Sequence, residues 1–328
     1  MNRRNVLNKN FLLSIVVPVY NEEQNLRKFY NCVKETRNKI NSAIEIIFVD
    51  DGSCDSSLEI MKKLQEEDPE IVIVRLSRNF GHQIAITAGL DHARGDAVVT
   101  IDSDLQDPPE LVPEMLKEWE EGYDVVNAVR DAREGETAIK LITASVFYWL
   151  IQKITQVDMS MGIGDFRLID KKVVEGLKQI KERHRYIRGL VSWMGYKQTT
   201  VKYKRDKRAK GKPKYSLWKS FVLAVDAITT FSYVPLRMAI VVGFLLSVCA
   251  LATGLYMVIL KLFTSQIKVP GYAALFTATV FLGGVELVVL GVVGEYLGRC
   301  FEETRQRPLY YVKDLLREDS LKQEEDNT

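Results

Sequence analysis

Residues 102 to 110 read Asp102-Ser103-Asp104-Leu105-Gln106-Asp107-Pro108-Pro109-Glu110 and follow the apolar run Ala97-Val98-Val99-Thr100-Ile101. A strand of buried type thus ends in two carboxylates spaced i, i+2 with a small residue between them. Hard divalent cations take oxygen ligands, and Mg²⁺ is usually held by one or two carboxylates together with substrate phosphates. The pair therefore points to Mg²⁺ or Mn²⁺ on a diphosphate. Acidic doublets also cap helices and fill turns, but the carboxyl end of a strand is where open α/β sheets bind ligands.

Three more polar clusters occupy comparable positions. Pro18-Val19-Tyr20-Asn21-Glu22-Glu23 closes the first apolar run, Val49-Asp50-Asp51-Gly52-Ser53 the second, and Arg78-Asn79-Phe80-Gly81-His82-Gln83 follows the third. Carboxylates there suit a pyrimidine imide or ribose hydroxyls, and Gly52-Ser53 suits a tight turn with an N-cap. Further along, Gly164-Asp165-Phe166-Arg167-Leu168 offers a carboxylate that either serves the site or pairs with Arg167. A dinucleotide fingerprint is not supported: Gly162-Ile163-Gly164 lacks the third glycine and follows no clear strand, and there is no P-loop. His82, His92 and His184 have no metal-ligand spacing.

These clusters need a scaffold. Leu13 to Val19, Ile44 to Val49, Ile71 to Val74, Ala97 to Ile101 and Asp124 to Val129 are apolar runs of strand length, with helical spacing over Gln24–Asn38 and Ser56–Glu67 between them. Continuous apolar strands alternating with helices predict a mostly parallel sheet covered on both faces. Pro108-Pro109-Glu110 opens a helix where missing donors cost least. The tail after Tyr311 is polar, and its last residues are expected to be disordered.

The C-terminal third has a different composition. Met238 to Leu260 is 23 residues without a charge, and Tyr272 to Gly294 is another 23 interrupted only by Glu286. Each exceeds the roughly 20 needed to cross a bilayer. Nine Lys or Arg against one acid lie between Lys202 and Lys219, and Arg299, Arg305 and Arg307 follow the second stretch. The positive-inside rule then places both termini and the N-terminal half in the cytoplasm. Tyr215 to Ser232 carries apolar residues at helical spacing and predicts an amphipathic helix at the membrane surface. Glu286 in hydrocarbon calls for a protein or polar neighbour, and Gly283, Gly284, Gly291 and Gly294 permit close helix approach, which favours a homo-oligomer. A net charge of +2 gives no global field for nucleic acid. Cys32, Cys54, Cys249 and Cys300 form no CxxC pair, which fits a reducing compartment.

The four rim motifs in this order, with Asp165 after them, resemble the inverting family 2 glycosyltransferases of GT-A fold, a Rossmann-like, mostly parallel α/β architecture. The stretch Asp104–Glu110, the basic Arg208-Ala209-Lys210-Gly211-Lys212-Pro213-Lys214-Tyr215-Ser216, the two apolar stretches and Arg305-Gln306-Arg307-Pro308-Leu309-Tyr310 are similar to the polyisoprenyl-phosphate branch, which includes bacterial undecaprenyl-phosphate glucosyltransferases and dolichol-phosphate mannosyltransferases. That resemblance implies that Pro18, Tyr20, Glu22 and Asp51 frame the nucleotide, with Asn79 and Ser103 also on the donor. It implies that Asp102 and Asp104 hold the metal and that Gln106 lines the donor sugar. Arg130, Lys140, Arg208 and Lys214 would face the acceptor phosphate, and Asp165 would position the nucleophile or act as base. Pro213 departs from relatives that carry a small polar residue before the lysine.

The implied organisation is a cytoplasmic GT-A domain over 1–200, a basic loop and interface helix over 201–235, two transmembrane helices over 236–300, and a cytoplasmic tail over 301–328. The implied reaction is metal-dependent transfer of a hexose, glucose from UDP-glucose, to a polyprenyl phosphate at the inner membrane of the cell. GDP-mannose as donor is the alternative within the branch. A processive polysaccharide synthase would show a Q-x-x-R-W motif, which Gln306-Arg307-Pro308 does not match, and a non-catalytic scaffold would have lost Asp102, Asp104 and Asp165.

Overall fold

The apolar runs become strands because their side chains are covered on both sides. The computed structural model describes residues 11–40, 42–130, 163–183, 185–203, 234–263 and 271–317. Lys140, Arg208, Lys214 and the expected interface helix lie outside these residues, as does the side chain of Arg130.

Leu12–Val19 (β1), Ala43–Asp50 (β2), Ile71–Leu76 (β3) and Ala97–Thr100 (β4) form a parallel block with β1 between β2 and β4 and β3 beyond β2. Every residue of β1 after Leu12 is buried. Val125–Arg130 (β5) stands apart from this block, joined to it by Ile163–Asp170 (β6), which runs antiparallel to both β4 and β5. Gln198–Tyr203 (β7) pairs parallel to β5 at one edge, and Val312–Leu316 (β8) pairs antiparallel to β3 at the other. The order is β7-β5-β6-β4-β1-β2-β3-β8.

The sheet is therefore mixed, with four parallel and three antiparallel pairings, as β6 and β8 run against the parallel majority. Three of its strands escape an apolar-run reading for visible reasons. β6 interleaves Gly164, Asp165 and Arg167 with its apolar residues; β7 holds lysine and threonines on a half-covered edge; β8 is a short, largely exposed edge strand, so the tail after Tyr311 begins in the sheet.

Leu26–Arg37 (α1), Ser57–Glu67 (α2) and Val112–Glu120 (α4) cover one face, with Phe29, Met61, Leu64, Met115 and Trp119 packed on Ile15, Ile46, Phe48 and Val99. His82–His92 (α3), Lys171–Gln179 (α5) and Ile187–Trp193 (α6) bring further buried apolar residues to the domain. α3 lies close to the sheet through Gly89, where a Cβ would come 2.2 Å from Val16 Cγ1.

The chain divides into two compact units, Met1–Lys214 with Arg307–Thr328, and Tyr215–Gln306. The second unit contains Val234–Phe263 (α7) and Gly271–Thr304 (α8). Both are long and apolar enough to cross a membrane, over Leu236–Tyr256 and Leu275–Thr304. Glu286 is exposed on α8.

Candidate active site

Parallel β1, β2, β3 and β4 deliver their following loops to one rim. Because β6 runs antiparallel to β4, with Thr100 opposite Arg167, its beginning rather than its end reaches that rim. Asp165, at that beginning, is thereby brought level with the end of β4, and Thr100 Oγ1 donates to the Asp165 carbonyl.

The first two loops are stitched together. Asn21 N donates to Ser53 Oγ (3.1 Å) and Cys54 N to Asn21 Oδ1 (2.8 Å), while Glu22 N donates to Ser57 Oγ (2.9 Å) and Ser56 N to Glu23 Oε2 (3.1 Å). Asn21 sits at φ 54, a left-handed position that Asn tolerates. The third loop hangs on Asp51, whose Oδ1 accepts from Phe80 N (2.7 Å) and Oδ2 from Gly81 N (2.9 Å). Burial pushes the Asp51 carboxyl up, and those two N–H groups oppose it. Gly52, at φ +72, lets the backbone approach: a Cβ there would lie 2.6 Å from both Arg78 C and Asn79 N.

Several residues expected on the nucleotide are thus engaged within the protein. Both oxygens of Asp51 hold the Phe80-Gly81 backbone; Glu22 Oε2 accepts from Asn25 Nδ2 (2.7 Å); and Pro18 is buried inside β1. Tyr20, 45% exposed, and Asn79 remain open to a ligand. In the β4 loop, Ser103 is buried, and Leu105 at φ 61 turns the chain so that Gln106 donates to Asp104 from its backbone N (3.0 Å) and its Nε2 (2.6 Å). Gln106 thereby orients Asp104. Asp107 is buried and accepts from Tyr203 OH, which ties the loop to β7.

At the centre lies Asp165. Arg188 donates to it from Nε and Nη2, both at 2.8 Å, His82 Nε2 lies 3.1 Å from its Oδ2, and Gln83 Nε2 donates at 3.3 Å. His82 also lies 3.6 Å from Asp102 Oδ1, bridging the two carboxylates. Burial alone would raise the Asp165 carboxyl, but the Arg188 fork and His82 hold it well below the usual carboxylate range. Burial lowers His82, and Asp165 with Asp102 outweighs this, so its imidazole is shifted up. Asp102 goes the other way: burial first, and then the charges of Asp165, Asp107 and Asp104 against His82, push it up to about 6. The expected partner Arg167 is fully buried, donates to the Gly164 carbonyl (2.9 Å) and is pushed down to about 10 by burial.

Asp102 thus carries an excess of negative surroundings that a cation would relieve. Among the described residues no group of three or more His, Cys, Asp or Glu is gathered to hold a metal. Two carboxylates with the remaining positions open fit a hard divalent ion shared with a substrate diphosphate. Arg188, His82 and Gln83 were missed as a group by sequence reasoning. Arg188 lies in the first turn of α6, in a stretch with no motif, and only the fold sets it against Asp165.

A family model described as glycosyl transferase family 2 matches residues 14–177, the span from β1 into α5 that carries Asp51, His82, Asp102, Asp104 and Asp165 but not Arg188. The chain belongs to that family. As a family 2 glycosyltransferase of GT-A fold, it is 48% identical over 94% of its length to an uncharacterized glycosyltransferase, YkcC, of Bacillus subtilis, covering 95% of that protein. It is 40% identical over 92% of its length to a prophage bactoprenol glucosyl transferase homolog of Escherichia coli, covering 98% of it. Among solved structures, Staphylococcus aureus TarS residues 1–349 in complex with UDP-GlcNAc is similar at TM-score 0.46 and 15% identity, over 67% of this chain and 66% of that one.

Proposed function

We propose that this glycosyltransferase moves glucose from UDP-glucose to a polyprenyl phosphate, with inversion, at the cytoplasmic face of the cell membrane. The observation that carries the reading is the near end-to-end similarity to proteins named bactoprenol glucosyl transferase, which spans both the rim and the two apolar helices. The return of β8 to the edge of the catalytic sheet supports an even number of crossings, because residues on either side of the hairpin belong to one domain. Exposed Glu286 on α8 supports a homo-oligomer that would cover it.

A phosphate monoester has its second pKa near about 6 and is already largely a dianion at neutral pH. Its oxygen can form the new bond to the anomeric carbon while the bond from that carbon to the diphosphate breaks, releasing UDP and leaving the sugar on the lipid phosphate. No strong base is required. That suits Asp165, whose low pKa and double grip by Arg188 make it a poor proton acceptor but a fixed negative anchor for His82 at the rim. Asp102 and Asp104 would hold Mg²⁺ or Mn²⁺, which when bound supplies Lewis-acid stabilisation to the leaving diphosphate. Arg130, Lys140, Arg208 and Lys214 would gather the acceptor phosphate, Arg through bidentate contact.

The test is transfer of radiolabel from a panel of nucleotide sugars to undecaprenyl phosphate by the full chain in detergent, with and without Mg²⁺ or Mn²⁺. Label entering the organic phase from UDP-glucose, only with metal, is expected. Label from GDP-mannose alone would overturn the donor assignment, and no lipid-linked label from any donor would overturn the acceptor.

A further inference from the structure

The Asp50 carboxylate has no part in the chemistry above, yet it lies at the end of β2, beside the rim, with the residue only 1% exposed. Its Oδ1 accepts from Ser53 N (2.9 Å) and closes the turn over Asp51 and Gly52. Its Oδ2 is buried and, among the described residues, receives no hydrogen bond. A buried acceptor left in that state needs an explanation, and a buried carboxylate needs a counter-charge.

Arg75 supplies that charge. Asp50 on β2 is level with Arg75 on β3, and Arg75 is level with Asp314 on β8, so the three residues form one rung across three strands. Arg75 Nε lies 3.7 Å from Asp50 Oδ2, and Arg75 Nη1 donates to Asp314 Oδ2 at 3.1 Å. The guanidinium thus bridges a buried carboxylate and an outer one that is 43% exposed. The outer contact fixes the end of the side chain with Nε on the Asp50 side.

The turn that Asp50 closes stands between the two rim groups left open to a ligand. Ser53 Oγ accepts from Asn21 N (3.1 Å), next to Tyr20, and Gly52 comes close to the backbone of Arg78 and Asn79. We propose that Arg75 is a positioning residue for the donor nucleotide. It balances the Asp50 charge so that the 50–53 turn holds the loops of Tyr20 and Asn79 at their spacing, and β8 steadies it through Asp314. The strand that follows the apolar hairpin in the chain is then part of the donor site's support. This rests on the transfer reaction proposed above.

Arg75→Met keeps the stem and removes the guanidinium. The donor KM should rise about five- to thirtyfold, between the slight effect of an exposed ion pair and the full effect of a buried one, with kcat and the lipid KM unchanged. Asp50→Asn keeps an acceptor for Ser53 N and needs no counter-charge, so in that background Arg75→Met should add less than about twofold. Asp314→Asn, which leaves Arg75 in place but unsteadied, should raise the donor KM about two- to fivefold. Arg27→Met, which breaks the exposed Arg27–Glu67 pair (2.6 Å), should leave it at the wild-type value. An unchanged donor KM in Arg75→Met, losses that multiply in the double variant, an unchanged donor KM in Asp314→Asn, or an equal rise in Arg27→Met would overturn the proposal. Should Arg75→Met fail to fold, Asp314→Asn decides alone. A wild-type chain that transfers nothing to any lipid acceptor counts against the transfer reaction instead. The inference is then read by hydrogen exchange at the Ser53 amide, which should quicken in Arg75→Met; unchanged exchange would overturn it.

Discussion

Replacing Arg188 with Met tests whether Asp165 is a guarded anion. The substitution retains much of the aliphatic stem and removes two charge-assisted bonds of 2.8 Å from a carboxylate whose side chain is only 10% exposed. Taking one partner from a buried pair costs about 3–5 kcal/mol. Arg188 is itself 35% exposed, so solvent already screens part of the attraction, and His82 and Gln83 still donate to Asp165. The expected loss is about 2–3 kcal/mol, or a fall of roughly 1 M in urea midpoint for a domain of this size. The sign with pH follows from the depressed carboxyl. Its contribution is whole above the unfolded value of about 3.9 and fades as pH falls through the lower folded value. Urea unfolding of the full chain in detergent, followed by tryptophan fluorescence, should therefore show the full gap between wild type and Arg188→Met at pH 7. The gap should narrow progressively below about pH 4 as Asp165 takes up its proton. Arg188→Lys, which keeps the charge without the fork, should fall between the two. A gap under about 1 kcal/mol at pH 7, or one that is the same size at pH 3, would refute the idea that this ion pair holds Asp165 ionised.

Two further outcomes follow from the rim. Asp104→Asn should abolish lipid-linked transfer and the electron paramagnetic resonance signature of bound Mn²⁺ while leaving the circular dichroism spectrum unchanged; Mn²⁺ bound as tightly as in the wild type would remove Asp104 from the metal site. Gly52→Ala should cost about 1–3 kcal/mol from its left-handed backbone alone, with a further penalty because its Cβ meets the Arg78-Asn79 backbone, and should raise the donor KM. A thermal midpoint equal to wild type would show that the Asp51–Phe80 loop is not held as tightly as its hydrogen bonds indicate.

Much of the scaffold was legible in the residues. β1 to β4 are covered on both faces and so appear as continuous apolar runs, and the polar clusters after them fall at one rim because parallel strands end together. The two apolar helices were equally plain, since a span of that length without charge needs no tertiary context to be recognised. β6 was hidden because Gly164, Asp165 and Arg167 interrupt its pattern, and β8 because an edge strand buries little.

The partners of the site residues were set by the fold. Sequence alone put Asp102 and Asp104 at a strand end, where spacing of two residues suffices, and it marked Asp165 as a carboxylate of interest. It could not direct the carboxylates of Asp51 and Asp104 to Phe80, Gly81 and Gln106, nor replace Arg167 by Arg188 as the ion-pair partner of Asp165. The grip of Arg188, His82 and Gln83 on Asp165 depends on β6 running antiparallel to β4 and on α3 packing against the sheet through Gly89, contacts between residues roughly 70 to 80 positions apart that no local period encodes, whereas Gln106 reaches Asp104 within one loop. The local pattern specifies which groups reach the rim; only the long-range pairing of strands decides which of them touch.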